Sequence, residues 1–239
     1  MMMLRKLTSL VVIVLILLML LFDRLPEKAQ ATSWEMYQSA GHQAIAERRL
    51  SDAEEFLLAA AQQIESMNPD DPRLASTLND LGVLYGMQQR DTEAESVLHR
   101  SLVINERAFG RQHLTSILIL QNLGVIYAVQ DKFLEAHQAA RESLAISLEL
   151  FGAGHPRTGS TCRTLAVVYE LQGSYEEAEQ FAERSVTIFE NTVGEGHPET
   201  LESLELLIRL MWITDRENEA QQLETRLNTS LQRSHSDTK

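Results

Sequence analysis

The chain is poor in the residues that small disulfide-bonded, zinc-binding and β-rich proteins depend on. Its 239 residues include one cysteine and five prolines, and aromatics make up 6%. A single cysteine cannot build an internal disulfide framework or a multi-cysteine zinc site. Few aromatics and few prolines argue for helices over a β-sandwich. Basic residues are also scarce, 21 against 34 acidic, for a formal charge of −13. Neutralising phosphates needs clustered Lys and Arg, so the sequence excludes a nucleic-acid partner. There is no glycine-rich phosphate loop, no paired set of zinc ligands and no serine elbow. The reading is therefore no enzyme, no cofactor and no small-molecule substrate. What remains is 44% hydrophobic content, enough for a sizeable core in one or two domains.

The N-terminus stands apart. Arg5 and Lys6 precede an apolar stretch, residues 7–22, uninterrupted from Leu10 to Phe22. That is short for a bilayer span, which takes about 20 apolar residues, and long for the core of a secretory signal. Pro26 and the small-x-small pattern Ala29-Gln30-Ala31 follow, as at a signal-peptidase site. Two expectations stay open for residues 1–31: a membrane anchor through residues 7–22, or a signal cleaved near Ala31 that leaves a secreted or periplasmic protein. Both place the remainder on the non-cytoplasmic side, because Arg5 and Lys6 lie before the run while the four charges after it cancel. Beyond residue 31, seventeen basic residues face thirty-two acidic ones, a net −15. Such a domain does not lie on anionic lipid by itself.

A 42-residue period organises the rest. Leu78-Asn-Asp-Leu-Gly-Val-Leu-Tyr85, Leu120-Gln-Asn-Leu-Gly-Val-Ile-Tyr127 and Cys162-Arg-Thr-Leu-Ala-Val-Val-Tyr169 align, with Leu204 to Met211 and Tyr37 to Ala44 as weaker copies. Each is followed at a fixed distance by an alanine: Ala53, Ala94, Ala136, Ala178 and Ala220. Twelve residues before each alanine stands Gly41, Gly82, Gly124, Ala166 or Ile208. Antiparallel helices cross closely only where side chains are small, so the pattern predicts five helical hairpins. The first helix of a hairpin (helix A) opens at Asp71-Pro72, His113-Leu114, His155-Pro156 and His197-Pro198. The second (helix B) carries Asp52, Glu93, Glu135, Glu177 or Glu219 in its first turn, where the helix dipole favours acids. It closes at Gly110, Gly152 and Gly194, with Asn68 in that place in the first copy, all read as left-handed caps.

These blocks resemble the tetratricopeptide repeat family, in its kinesin-light-chain-like variant. The carrying residues are the Leu-x-x-Leu-Gly/Ala-Val-x-Tyr blocks, Tyr175-Glu-Glu-Ala178-Glu, and Gly-x-x-His-Pro at Gly152–Pro156 and Gly194–Pro198. The resemblance implies an all-α, right-handed superhelical solenoid of about five hairpins over residues 32–232. The repeats fall near 32–73, 74–114, 115–157, 158–199 and 200–232, with a hydrophobic helix before them and a polar tail at 233–239. Bulky Ile208 leaves the fifth hairpin splayed or acting as a cap.

Several residues invite a chemical reading that a plainer one answers. His113, His155 and His197 recur at 42 residues, but stacked repeats sit about 8–10 Å apart, too far to share a zinc ion. They are read as ordering the loop before helix A. The recurrent helix B acids are read as helix-start electrostatics. Cys162 stands where other copies have Leu78, Leu120 and Leu204, as a small buried hydrophobe.

The resemblance further implies that helix A faces a concave surface that takes a partner's peptide segment or helix. The positions pointing away from the Leu–Leu–Tyr stripe are Asn79, Val83, Gln121, Asn122, Val125, Arg163, Thr164, Val167 and Glu170. Asn and Gln carry a donor and an acceptor together, which suits pairing with a peptide backbone. Asn79, Asn122 and Arg163 are read as comparable places one repeat apart. The function expected is a non-enzymatic adaptor on the exported side of a membrane. A homo-oligomeric scaffold, or an assembly factor for a membrane complex, is the alternative.

Overall fold

The structure, a computed structural model, describes the backbone of residues 27–236 and the side chains of residues 33–231. The apolar stretch 7–22, and with it the expected hydrophobic helix, anchor or signal, lies outside the described residues. Among the described residues there are ten helices and no strand. They are α1 (Glu27–Ala46), α2 (Leu50–Met67), α3 (Pro72–Met87), α4 (Asp91–Phe109), α5 (Leu114–Val129), α6 (Phe133–Phe151), α7 (Pro156–Gln172), α8 (Tyr175–Thr192), α9 (Pro198–Ile213) and α10 (Glu217–Ser236). Two boundaries differ from expectation. Helix α1 already runs through Ala29-Gln30-Ala31, and α10 continues past residue 232 into the segment read as a polar tail.

The described helices form two compact units that divide between Met67 and Asn68. The first contains the hairpin α1–α2, with Gly41 set against Leu57 at the crossing. The second stacks four hairpins, α3–α4, α5–α6, α7–α8 and α9–α10. In this second unit each B helix packs on the A helix that follows it, and A helices touch one another across repeats. No B–B pair packs comparably, so the A helices line the inner, concave side of the stack.

The hairpin crossings refine the small-residue rule. A Cβ added at Gly82 would lie 2.5 Å from Leu98 Cγ, and one at Gly124 would lie 3.4 Å from Ala140 Cβ. The glycine therefore meets the residue one turn beyond the shared alanine, on the same face of helix B. At Gly124 the carbonyl of the shared Ala136 is the next atom, at 3.5 Å. A bulky partner goes with a glycine, as at Gly41–Leu57 and Gly82–Leu98. In the last hairpin Ile208 replaces the small residue, and α9 and α10 pack less closely than the other pairs.

The recurrent histidines cap helices. In α5, α7 and α9, Nδ1 of His113, His155 and His197 accepts the backbone N–H of Thr115, Arg157 and Glu199 at 3.3, 3.1 and 3.3 Å. Asp71 does the same for α3, its Oδ1 accepting from Arg73 N at 2.9 Å. Each satisfies one orphan donor of a helix start. Phe109 and Phe151 stack on His113 and His155, holding the imidazoles in place. The histidines stay one per repeat, and no group of three metal-ligating side chains forms among the described residues.

The glycine caps differ in detail from the left-handed expectation. Gly110 and Gly152 have φ of 81° and 86° with ψ of 173° and 170°, an extended mirror region open essentially to glycine alone. Asn68 is not among the positive-φ residues, and its Oδ1 accepts the N–H of Asp70 instead. Positive φ recurs one helix earlier as well, in the A–B turns, at Arg48, Gln89, Asp131, Gly173 and Asp215.

Polar ties hold the layers in register. Buried Ser101 and Ser143 donate to the carbonyls of Ala75 and Ile117 within their hairpins. Asn105 Nδ2 donates to Ser116 Oγ at 2.7 Å, and Ser147 pairs with Thr158 at 3.0 Å, each across to the next repeat. The repeated tyrosine acts similarly. Its ring is buried, and its hydroxyl reaches the previous helix B, Tyr127 to His99 and Tyr169 to Arg141.

Candidate functional site

The inner face of the second unit is built from side chains four residues apart on successive A helices. Val83, Val125 and Val167 occupy one row, spaced by 42 residues. One helical turn further, Met87, Val129, Leu171 and Ile213 occupy a second row at the same spacing. Members of this second row are 48, 50, 45 and 43% exposed, and Val83 is 39% exposed. Exposed large apolar residues repeated in one place on four successive helices make a strip, whereas isolated ones on a surface would carry no meaning.

Between α3 and α5 the strip deepens into a cavity of about 570 Å³. Gly82, Gly86, Val83, Val125 and Val129 form its apolar walls, with Asn122, Gln89 and Asp91 at its polar edge. The small residues on α3 open the space. A Cβ at Gly86 would stand 3.0 Å from Ile126 Cδ1, so a larger side chain there would crowd the floor.

Of the residues singled out from the sequence, Val83, Asn122 and Val125 line this cavity. Asn122 Nδ2 donates to Asn79 Oδ1 at 2.8 Å, which leaves Asn79 Nδ2 and Asn122 Oδ1 without a partner among the described residues. Val167 continues the strip, half-buried. The remaining four are engaged within the chain. Gln121 is buried and donates to Ser160 Oγ at 3.2 Å. The Thr164 hydroxyl donates to the carbonyl of Ser160 on its own helix. Arg163 pairs with Glu199 and Glu202 at 2.6 and 2.9 Å, and Glu170 holds Arg209 through two hydrogen bonds of 2.6 and 2.8 Å.

Asn79, Asn122 and Arg163 are not equivalent positions. Their separations are 43 and 41 residues, and the true register is Asn79, Gln121, Arg163 and Glu205. The one-residue slip places Asn122 beside Asn79, not above it, which is why the two hydrogen-bond. Sequence reasoning missed Met87, Val129, Leu171 and Ile213. Their signal was available as an apolar residue four past each Val or Arg of the row above, at a constant 42-residue spacing.

Cys162 is fully buried, and burial pushes its thiol up to about 11, so it stays protonated and unreactive at neutral pH. No helix among the described residues is long and apolar enough to cross a membrane.

Tetratricopeptide repeat models match residues 74–115, 116–191 and 160–227, more than half of the chain. The chain belongs to the tetratricopeptide repeat family. Its fold is similar to the nearly identical kinesin-light-chain TPR-like repeats of Podosopora anserina, at 20% identity and TM-score 0.67, over 84% of this chain and 96% of that one. BtubC (BKLC) from P. vanneervenii is similar at 17% identity and TM-score 0.60, over 87% and 92% of the two chains. A Rap protein complexed with Competence and Sporulation Factor is similar at 14% identity and TM-score 0.74, over 86% of this chain and 56% of that one. No curated protein matches the sequence significantly. The tetratricopeptide fold makes the chain a protein-interaction module in its architecture, and its exposed strip lies on the inner face.

Proposed function

We propose that this protein is a non-enzymatic adaptor whose concave face, centred on the cavity between α3 and α5, binds a segment of a partner protein. The observation that carries the reading is the apolar strip on four successive A helices, bordered by the Asn79–Asn122 pair with one free donor and one free acceptor. Apolar side chains of a partner would fill the strip, and its backbone would meet the amides. The Rap structure with its bound factor is a precedent for a fold of this kind holding a ligand. Residues 1–31 are proposed to anchor the chain in a membrane or direct its export, with the repeats on the non-cytoplasmic side. The support is the apolar run 7–22 preceded by Arg5 and Lys6.

Position-specific photocrosslinking in intact cells tests the adaptor reading. A crosslinker at Val125 should capture a partner, and one at Glu93, on helix B, should not. Val83→Asp with Val129→Asp should abolish the capture while leaving helix content unchanged. Capture through Glu93 alone would move the working surface to the convex side. Protease shaving of intact cells, or of spheroplasts where an outer membrane shields the periplasm, tests sidedness. Repeats that are degraded only after lysis would refute export.

A scaffold that associates with itself is the second reading, favoured by Trp212 and Ile213, both exposed in the last hairpin. Trp212 Nε1 is already engaged with Glu224 Oε1 at 2.9 Å, which ties that ring to its own repeat. Sedimentation across a concentration series separates the two readings.

A further inference from the structure

In the second unit, the cations beside the strip and at the A–B turns are held by the chain's own acids. Arg90 pairs with Glu93, Lys132 with Glu95, Arg216 with Glu179 and Glu219, Arg163 with Glu199 and Glu202, and Arg209 with Glu170. Three carboxylates beside the strip have no such partner: Asp91, Asp131 and Asp215 make no ion pair among the described residues. Asp91 lines the cavity itself, next to Val129. Asp131 and Asp215 follow Val129 and Ile213 by two residues, each at a left-handed turn position that turns the chain from helix A to helix B. The strip is therefore apolar along its floor and negative along one lip, with no uncommitted positive charge beside it among the described residues.

We infer that the strip takes an amphipathic basic segment of its partner, most simply a helix with one apolar stripe flanked by Lys or Arg. The inference rests on the groove reading above and names the partner's chemistry. An apolar stripe about 100° wide on such a helix matches a floor two side chains wide, Val83, Val125 and Val167 beside Met87, Val129 and Leu171. The flanking cations would then meet Asp91 and Asp131, and Asp215 further along. An acidic segment would set its charges against that lip with no free cation to receive them. A second copy of this chain is disfavoured for the same reason, since two copies would juxtapose their acidic lips. Residues 10–22 of this chain are without exception apolar, so they carry no cation to meet the acidic lip.

The test uses the full chain in phosphatidylcholine nanodiscs, with empty nanodiscs subtracted. Two fluorescent peptides of roughly 18 residues, about five turns of helix, share one leucine pattern at i, i+3, i+4 and i+7. One carries lysine at every other position and the other glutamate. The Leu/Lys peptide should bind at least about tenfold tighter than the Leu/Glu peptide at low salt, with the gap shrinking as salt rises. Asp91→Asn with Asp131→Asn and Asp215→Asn should narrow that gap. Asparagine keeps the size of each side chain and tolerates the left-handed turns. Val83→Ser with Val129→Ser and Leu171→Ser should remove binding of the Leu/Lys peptide.

Equal binding of the two peptides, lost in the serine variant, would overturn the basic-partner inference and leave the groove reading standing. Binding of neither peptide, or binding untouched by the serine changes, would overturn both. A crosslinker at Val129 that captures residues 1–26, or a second copy of the chain, would show the strip already occupied and would also overturn the inference. The comparison of the two peptides on the unmodified chain stands even where a variant fails to fold.

Discussion

Gly82 and Gly124 occupy the same place in successive hairpins, yet alanine should have opposite effects at the two. Replacing glycine by alanine inside a helix gains about 1 kcal/mol from the backbone alone. At Gly82 the new Cβ would stand 2.5 and 2.6 Å from Leu98 Cγ and Cδ2, inside a fully buried contact. Atoms that close must move, and overpacking of a core costs about 1–3 kcal/mol. The net for Gly82→Ala is a loss of about 1 kcal/mol. At Gly124 the nearest side-chain atom is Ala140 Cβ at 3.4 Å, an ordinary contact, so most of the helix gain survives and Gly124→Ala should stabilise by about 0.5–1 kcal/mol.

Leu98→Ala alone should cost about 2–5 kcal/mol through the cavity it leaves. Combined with Gly82→Ala it should cost less than the sum of the two, because the new methyl enters the vacated space. The coupling should fall within about 0.5–3 kcal/mol. Urea unfolding followed by far-UV circular dichroism measures all four variants, fitted with a nearest-neighbour treatment suited to stacked repeats. If Gly82→Ala were as stable as Gly124→Ala, or if the Gly82/Leu98 pair were additive, the hairpin crossing would lie elsewhere.

Other perturbations have equally definite outcomes. Gly173→Ala puts a side chain at φ 84° and should cost about 1 kcal/mol in the same urea assay, whereas Asp131→Asn at φ 59° should be nearly neutral. Arg73, through side-chain and backbone hydrogen bonds, holds the Asp71 carboxyl below its usual range. A lowered folded value means the stabilisation is complete above the ordinary carboxylate pKa of about 3.9 and is lost as pH falls through the lower folded value. Asp71→Ala should therefore cost about 0.5–2 kcal/mol at neutral pH, and the gap to the unmodified chain should shrink in an acid titration of stability. Cys162 should resist a thiol-reactive dye in the folded chain at neutral pH and react fully in denaturant; rapid labelling of the native protein would contradict its burial.

Much of the architecture was legible before any coordinates, because it is periodic and local. A repeat of Leu, Gly or Ala, Tyr and a following Ala needs only side-chain size and helical spacing to predict stacked hairpins. A structural role for His113, His155 and His197 in the loop before helix A was legible from their place, while the capping itself, through Nδ1, came from the fold. The left-handed cap expected at Asn68 did not occur, since an Asn side chain can satisfy a turn without its backbone turning over.

The site was only half legible. Periodicity shows which residues share a face of one helix, so Val83, Val125 and Val167 could be named from the sequence. It does not show what the neighbouring repeat places opposite. Arg163 and Glu170 look available in the sequence, and ion pairs to Glu199, Glu202 and Arg209 from the next repeat consume them. Asn122, read from the sequence as equivalent to Asn79, is one residue out of register with it, and packing brings the two amides to 2.8 Å. Met87, Val129, Leu171 and Ile213 were passed over in the sequence, and the fold shows them exposed. The sequence by itself determined the hairpins and their period, because those depend on side-chain size and spacing within one repeat. Which polar groups are spent and which apolar groups stay open was decided by tertiary structure, because that balance is struck between repeats.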